Sequence, residues 1–107
     1  MEAKQPRPPR HEIGATAQIV DSVSGRCVNG RTSDVSLGGC YVETPAPLDV
    51  RSTIRIQLFF NGSTVTVYGD VVRSDPDKGM GLRFRGIAPD QLAVLNRWLF
   101  GLDRPDY

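Results

Sequence analysis

The feature that most constrains the fold is an apolar alternation that runs directly into an Asn-Gly pair. Every second position of one segment is apolar, namely Ile54, Ile56, Leu58 and Phe60. A period of two is typical of a half-buried β-strand. Asn61-Gly62 follows at once, and it suits a type I′ turn because both residues tolerate positive φ. The pattern therefore predicts a β-hairpin across residues 61–62.

Further strands are predicted on both sides of this hairpin. The return strand carries Val65, Val67, Val71 and Val72, and Gly69 inside it is expected to mark a bulge or sharp bend. Four more strands are predicted over residues 13–19, 26–37, 40–44 and 80–84. Gly30 interrupts the second of these, and Cys40 and Val42 are expected to share one face of the third. The intervening segments have turn composition.

Only the end of the chain has helical periodicity. Pro89 fits a first helical position and Gly101 is placed to end the helix. Leu92, Leu95 and Leu99 have helical spacing, with Trp98 beside them as a predicted core residue or plug at the end of the barrel. The predicted fold is all-β: a six-stranded antiparallel β-barrel, closed or nearly closed, with a C-terminal α-helix.

The chain divides into an N-terminal arm, residues 1–12, and a barrel domain with its helix, residues 13–102. The arm contains three prolines and is expected to be extended, close to polyproline II. Lys4, Arg7 and Arg10 are three apart and would form one cationic stripe in that conformation. The stripe fits either a solubilising tail or an arm that closes over an anion. His11 is expected to be an exposed residue at the junction.

Length and charge exclude several classes of protein. A single domain of 107 residues buries roughly 60–70% of its unfolded surface, so it can hold a core without disulfides or a structural metal. The net charge of +1 argues against a bulk nucleic-acid binder. Cys27 and Cys40 lack metal-site spacing and are expected to be half-buried thiols in a reducing compartment. The N-terminus has no apolar run, so we expect no leader peptide. No stretch approaches roughly 18 apolar residues, so we expect a cytoplasmic protein without membrane insertion.

Catalysis and nucleic-acid binding are also disfavoured. The one histidine lies in the arm, and neither a G-x-S-x-G nor a phosphate-binding Gly-Lys-Ser/Thr motif is present. We therefore expect no enzymatic activity, no metal and no other cofactor. A small barrel that binds single-stranded DNA or RNA needs aromatic residues on one outer face. Phe59 and Phe60 are adjacent and point to opposite faces of their strand.

A D-x-S-x-x-G pattern lies at the end of the second predicted strand, over residues 34–39. It consists of Asp34, Ser36 and Gly39. In an extended strand Asp34 and Ser36 would point to one face, while Val35 and Leu37 would point to the other. These residues alone fit two interpretations equally well. One is a strand that ends in an Asp/Ser-rich turn, and the other is the polar floor of a binding site.

The order of these elements resembles the PilZ family of bacterial domains. The resemblance rests on the D-x-S-x-x-G strand after an arginine-bearing arm, on Gly79–Phe84, and on the final helix with Trp98. It spans about Arg7 to Leu102. It implies the same barrel-and-helix fold, together with binding of the bacterial second messenger cyclic di-GMP. The ligand-binding residues that the resemblance implies are Arg7, Arg10, Asp34, Ser36 and Gly39.

The arm departs from the family's R-x-x-x-R pattern. Arg10 matches the second arginine, but Pro6 stands where the first is expected, and the chain offers Arg7 instead. Two hypotheses follow. In the first, the arm shifts so that Arg7 or Lys4 reaches a phosphate, and the domain is a cyclic di-GMP receptor that changes its surface for a downstream protein partner. In the second, it is a degenerate protein-interaction module that binds no nucleotide.

Overall fold

Six antiparallel strands form a closed barrel in a computed structural model, which describes residues 9–101. The elements are β1 (Thr16–Asp21), β2 (Cys27–Val35), β3 (Gly39–Glu43), β4 (Thr53–Phe60), β5 (Ser63–Asp75), β6 (Gly79–Gly86) and α1 (Pro89–Phe100). The order of strands around the barrel is β1-β2-β3-β6-β5-β4, and pairing of β1 with β4 closes it. The predicted fold, six strands followed by one helix, is confirmed.

The β4–β5 hairpin has the predicted turn. Asn61 and Gly62 have φ values of 51° and 75°, as a type I′ turn requires. The inward row of β4, Ile54, Ile56 and Leu58, has no solvent exposure. Burying these side chains against the other inward rows supplies most of the driving force for closing the barrel.

Two bulges bend β5. One register shift against β6 lies between Tyr68 and Gly69, as predicted, and a second lies between Val71 and Arg73. Val71 is buried, whereas Val72 and Arg73 are both exposed. The second bulge therefore turns two consecutive side chains to the outer surface of the barrel.

Helix α1 packs against the barrel with the predicted face. Pro89 lies in the first turn, and Gly101 ends the helix in the left-handed conformation. Leu95 and Leu99 are buried, and Trp98 packs edge-on against Phe60 with ring centroids 5.5 Å apart. Trp98 is thus a core-packing residue, as predicted. Nothing helical within residues 9–101 has both the length and the apolar character needed to cross a membrane.

The prediction that His11 is an exposed junction residue is wrong. The backbone N–H of His11 donates to the Val35 carbonyl at 2.8 Å, and the backbone N–H of Val35 donates to the His11 carbonyl at 2.9 Å. The imidazole is half-buried and meets Phe100 edge-on, with centroids 5.6 Å apart. The described end of the arm is therefore paired with the end of β2 and touches α1.

The two cysteines differ in exposure, which corrects the prediction that both are half-buried. Cys27 is exposed at the start of β2, and Cys40 is buried in β3. Cys40 and Val42 share the inward face of β3, as predicted. Burial, with a smaller contribution from Asp34, raises the pKa of the Cys40 thiol.

We expect only one thiol to react with Ellman's reagent in the folded domain. The attacking species is the thiolate, and the raised pKa and burial of Cys40 remove both ionisation and access. Absorbance at the thionitrobenzoate band should report one equivalent without denaturant and two in guanidinium. In Cys27→Ser the first equivalent should vanish. Rapid labelling of folded Cys27→Ser would contradict the assignment.

Candidate functional site

A bulge in β2 places Asp34 on the outside of the barrel. Thr32 and Val35 are both buried, and the register against β3 shifts between Thr32 and Asp34. Two residues therefore separate the inward positions instead of one, and Ser33 and Asp34 both face outward. The predicted placement of Asp34 and Val35 on opposite faces is confirmed.

The strand does not continue through Leu37 as predicted. β2 ends at Val35, and Ser36–Gly39 forms a turn in which the Ser36 N–H donates to the Gly39 carbonyl at 2.8 Å. The Ser36 hydroxyl accepts the Gly38 N–H at 3.1 Å and donates to the Gly39 carbonyl at 3.3 Å. A hydroxyl that bonds its own backbone in this way stabilises a turn at the expense of a strand. Leu37 is consequently 36% exposed instead of packing inward.

Gly39 begins β3 at a point where two backbones approach closely. It pairs with Arg83 of β6, and a Cβ at this position would lie closer than 3.0 Å to the Leu82 carbonyl oxygen. Its φ is not in the left-handed region. The β3–β6 pairing itself therefore requires the absence of a side chain here.

The paired end of the arm brings Arg10 to Asp34. Arg10 precedes His11, whose bridge to Val35 fixes the direction of the chain. Arg10 Nε lies 3.8 Å from Asp34 Oδ1, and the two side chains are 68% and 23% exposed. Arg7, the other predicted arm residue, lies outside the described residues.

A cavity of about 720 Å³ covers the outer face of β2, β3, β6 and β5. Two rows of cross-strand neighbours lie on this face: Asp34, Tyr41, Gly81 and Arg73 in one, and Gly39 and Arg83 in the other, which continues to Asp70 outside the cavity lining. Four of the five predicted site residues line this cavity, namely Arg10, Asp34, Ser36 and Gly39. The size is typical of a site for a small organic ligand.

The far wall of the cavity is a hydrogen-bonded cluster. The Tyr41 hydroxyl donates to Asp75 Oδ2 at 2.7 Å, and Arg73 Nε lies 2.9 Å from the same oxygen. Burial, followed by this bond to Asp75, raises the pKa of Tyr41. The hydrogen bond from Tyr41 and then that from Arg73 lower the pKa of Asp75. The cluster holds an aromatic ring and a guanidinium in place beside Gly81.

Reasoning from the sequence missed the aromatic and cationic side chains that line the cavity besides Arg10, namely Tyr41, Arg73 and Arg83. The outward position of Arg83 could have been inferred, because it alternates with inward Met80 and Leu82. Its position next to Gly39 could not, since that depends on the β3–β6 register. Arg73 faces outward only because of the bulge at Val71.

A comparison with protein-family models matched the PilZ domain over residues 3–101. A comparison with curated proteins gave no significant match. The family match covers nearly the whole chain, including every residue that lines the cavity.

Solved structures share the fold at low sequence identity. The PilZ domain of CeSA from a cellulose-synthesizing bacterium is 21% identical, with a TM-score of 0.67 over 90% of this chain and 99% of that chain. The PilZ domain of YcgR from Escherichia coli with cyclic di-GMP is 16% identical, with a TM-score of 0.74 over 94% of this chain and 93% of that chain.

A longer protein contains a similar domain. The motility inhibitor MotI of Bacillus subtilis is 16% identical, with a TM-score of 0.72 over 96% of this chain but only 54% of that chain. This chain thus spans about half the length of MotI. Because the family model matches residues 3–101 and these structures share the barrel, the chain belongs to the PilZ domain family.

Proposed function

We propose that this domain is a bacterial receptor for cyclic di-GMP that binds the nucleotide on the outer barrel face between the arm and the D-x-S-x-x-G turn. The observation that carries the proposal is one cavity lined by Arg10, Asp34 and Gly39 on one side and by Tyr41 and Arg73 on the other. A structural neighbour, the PilZ domain of YcgR, was solved with cyclic di-GMP. The role is one of binding, without catalysis.

Two neighbouring side chains at the β2 side of the cavity match the two parts of the ligand. The Asp34 carboxylate accepts hydrogen bonds and suits the N–H edge of guanine. The Arg10 guanidinium suits a phosphodiester, to which it donates two parallel bonds. At 3.8 Å the Arg10–Asp34 contact is longer than a hydrogen bond, so the hydrogen-bonding atoms of both groups are available to a ligand.

The same contacts give a route for relaying the signal. Arg10 is adjacent to His11, which pairs with Val35 and contacts Phe100 at the end of α1. A ligand held by Arg10 would fix the arm against the barrel and change the surface around α1. We place the readout of this change in a downstream protein partner in the bacterial cytoplasm, where the second messenger acts.

One feature favours the alternative, an interaction module that binds no nucleotide. Pro6 stands where the family's arm pattern has its first arginine, so the arm has lost one of its two expected cations at that position. A missing charged hydrogen bond weakens binding by roughly one to two orders of magnitude. Direct titration separates the two functions.

We expect cyclic di-GMP to bind the unmodified domain saturably at concentrations below roughly 100 μM in isothermal titration calorimetry. Arg10→Ala should bind roughly tenfold more weakly, because one phosphate loses its guanidinium. Pro6→Arg restores the first arginine of the R-x-x-x-R pattern and should bind more tightly if the arm of the natural sequence lacks a phosphate contact. Absence of heat from the unmodified domain up to that concentration, at two temperatures, would overturn the receptor function and leave the interaction module.

A further inference from the structure

The arginines on the barrel wall differ in how fully they are neutralised. Arg73 has Asp75 as its own partner, at 2.9 Å, and that carboxylate also takes the Tyr41 hydroxyl. Arg83 has no carboxylate of its own among the described residues, because it shares Asp70 with Arg85. The cavity wall therefore contains one cation that is poorly compensated.

Asp70 favours Arg85 over Arg83. Arg85 Nε forms a hydrogen bond with Asp70 Oδ2, whereas Arg83 Nη2 lies 3.5 Å from the same oxygen. The bond from Arg85 is also the larger of the two arginine effects that lower the pKa of Asp70. Two guanidiniums on one carboxylate leave a local charge of +1. The Arg83 side chain, 56% exposed, carries this charge to the cavity beside Gly39.

We propose that Arg83 binds one phosphate of cyclic di-GMP and supplies, from β6, the cation that the arm lacks at Pro6. This inference rests on the proposed function and names a further ligand-binding residue of the same site. Arg10 lies at the β2 side of the cavity and Arg83 two strands away on β6, so each faces a different part of a ligand that spans the floor. The ligand has two phosphodiesters, which two separated guanidiniums fit.

Asp70 has the opposite effect in this arrangement. Its carboxylate competes with the phosphate for Arg83 and adds a negative charge near an anionic ligand. Asp70→Asn removes that charge while keeping the shape of the side chain. A partly exposed charge pair has a small effect on affinity, so the variant should bind roughly two- to fivefold more tightly.

The test is calorimetric titration of cyclic di-GMP into the unmodified domain, Arg83→Ala, Asp70→Asn and Arg26→Ala. Arg26 is an exposed arginine in the turn before β2 and does not line the cavity, so Arg26→Ala matches the charge lost in Arg83→Ala. We expect Arg83→Ala to bind roughly ten- to a hundredfold more weakly and Arg26→Ala to bind as the unmodified domain does. The affinity of Arg83→Ala should also depend less on salt concentration, because one screened contact is gone.

Each result decides between the claims. Arg83→Ala with unchanged affinity, while Asp34→Ala fails to bind, would overturn the role of Arg83 and leave the receptor function standing. Equal weakening by Arg83→Ala and Arg26→Ala would assign the effect to net charge and overturn it too. No binding by the unmodified domain would overturn both proposals. Urea unfolding of each variant excludes misfolding, which we do not expect from an outward side chain.

Discussion

Alanine in place of Asp34 should weaken the binding of cyclic di-GMP by about ten- to a hundredfold. The carboxylate projects from the β2 bulge into the cavity and is 23% exposed, so it is available to a guanine edge. Its loss removes a charged acceptor and leaves guanine N–H donors facing an apolar methyl group. Calorimetry of unmodified and variant domains under the same conditions measures the change.

The sign of this effect distinguishes guanine recognition from attraction of phosphate alone. Asp34 is a negative charge 3.8 Å from Arg10, so a site that attracted only phosphate would bind more tightly without it. Asp34→Asn keeps an acceptor oxygen and should lose less affinity than Asp34→Ala. Glu43→Ala is the control, because it removes an exposed carboxylate of β3 that does not line the cavity. Tighter binding by Asp34→Ala would refute a guanine contact at this residue.

The barrel was predictable because its local patterns agree with its long-range pairing. The alternation of β4 and the Asn61-Gly62 turn define one hairpin within ten residues, and the inward rows of the other strands follow the same period. The helix was predictable from Pro89, the leucine spacing and Gly101. In each case the deciding interactions lie close together in the sequence.

Where prediction failed, a distant or competing contact decides the structure. His11 is covered because it pairs with Val35 and meets Phe100, contacts that no local pattern encodes. The period of two was extended past Val35, but the Ser36 hydroxyl bonds Gly38 and Gly39 and ends the strand. Local hydrogen bonds of this kind compete with strand pairing.

The candidate site was predictable on its β2 side alone. Asp34, Ser36 and Gly39 lie within six residues and form a recognisable pattern. Arg73 and Arg83 reach the same cavity only through the strand order, in which β6 lies between β3 and β5, and through the bulge at Val71. A bulge shifts register by one residue and so changes which side chains face outward. No spacing in the sequence contains that information.

Alanine at Gly39 should lower the free energy of unfolding by about 1–3 kcal/mol. The new Cβ would lie closer than 3.0 Å to the Leu82 carbonyl oxygen, and a backbone atom in a paired strand cannot move aside as a side chain does. β3 and β6 would have to separate locally. A loss of this size is a substantial fraction of the stability of a small domain. The midpoint of urea unfolding, at unchanged slope, measures it.

Two glycines of β6, Gly81 and Gly86, are the controls for the Gly39 substitution. A Cβ at Gly86 would meet nothing within 4 Å, so Gly86→Ala should leave stability within about 0.5 kcal/mol. A Cβ at Gly81 would lie 3.3 Å from Arg73 Cβ and 3.9 Å from Tyr41 Cδ1, so it would occupy the cavity floor and Arg73 would have to shift by a few tenths of an ångström. Gly81→Ala should therefore reduce the magnitude of the free energy of cyclic di-GMP binding more than it lowers the free energy of unfolding.

The Gly39 variant also separates two reasons for a glycine in the D-x-S-x-x-G pattern. If the residue serves only to admit a guanine base, Gly39→Ala should lose affinity and keep its unfolding midpoint. If the β3–β6 approach requires it, the midpoint should fall even without ligand. The position of the Leu82 carbonyl favours the second outcome. A ligand-free midpoint equal to that of Gly86→Ala would show that Gly39 is kept for the ligand.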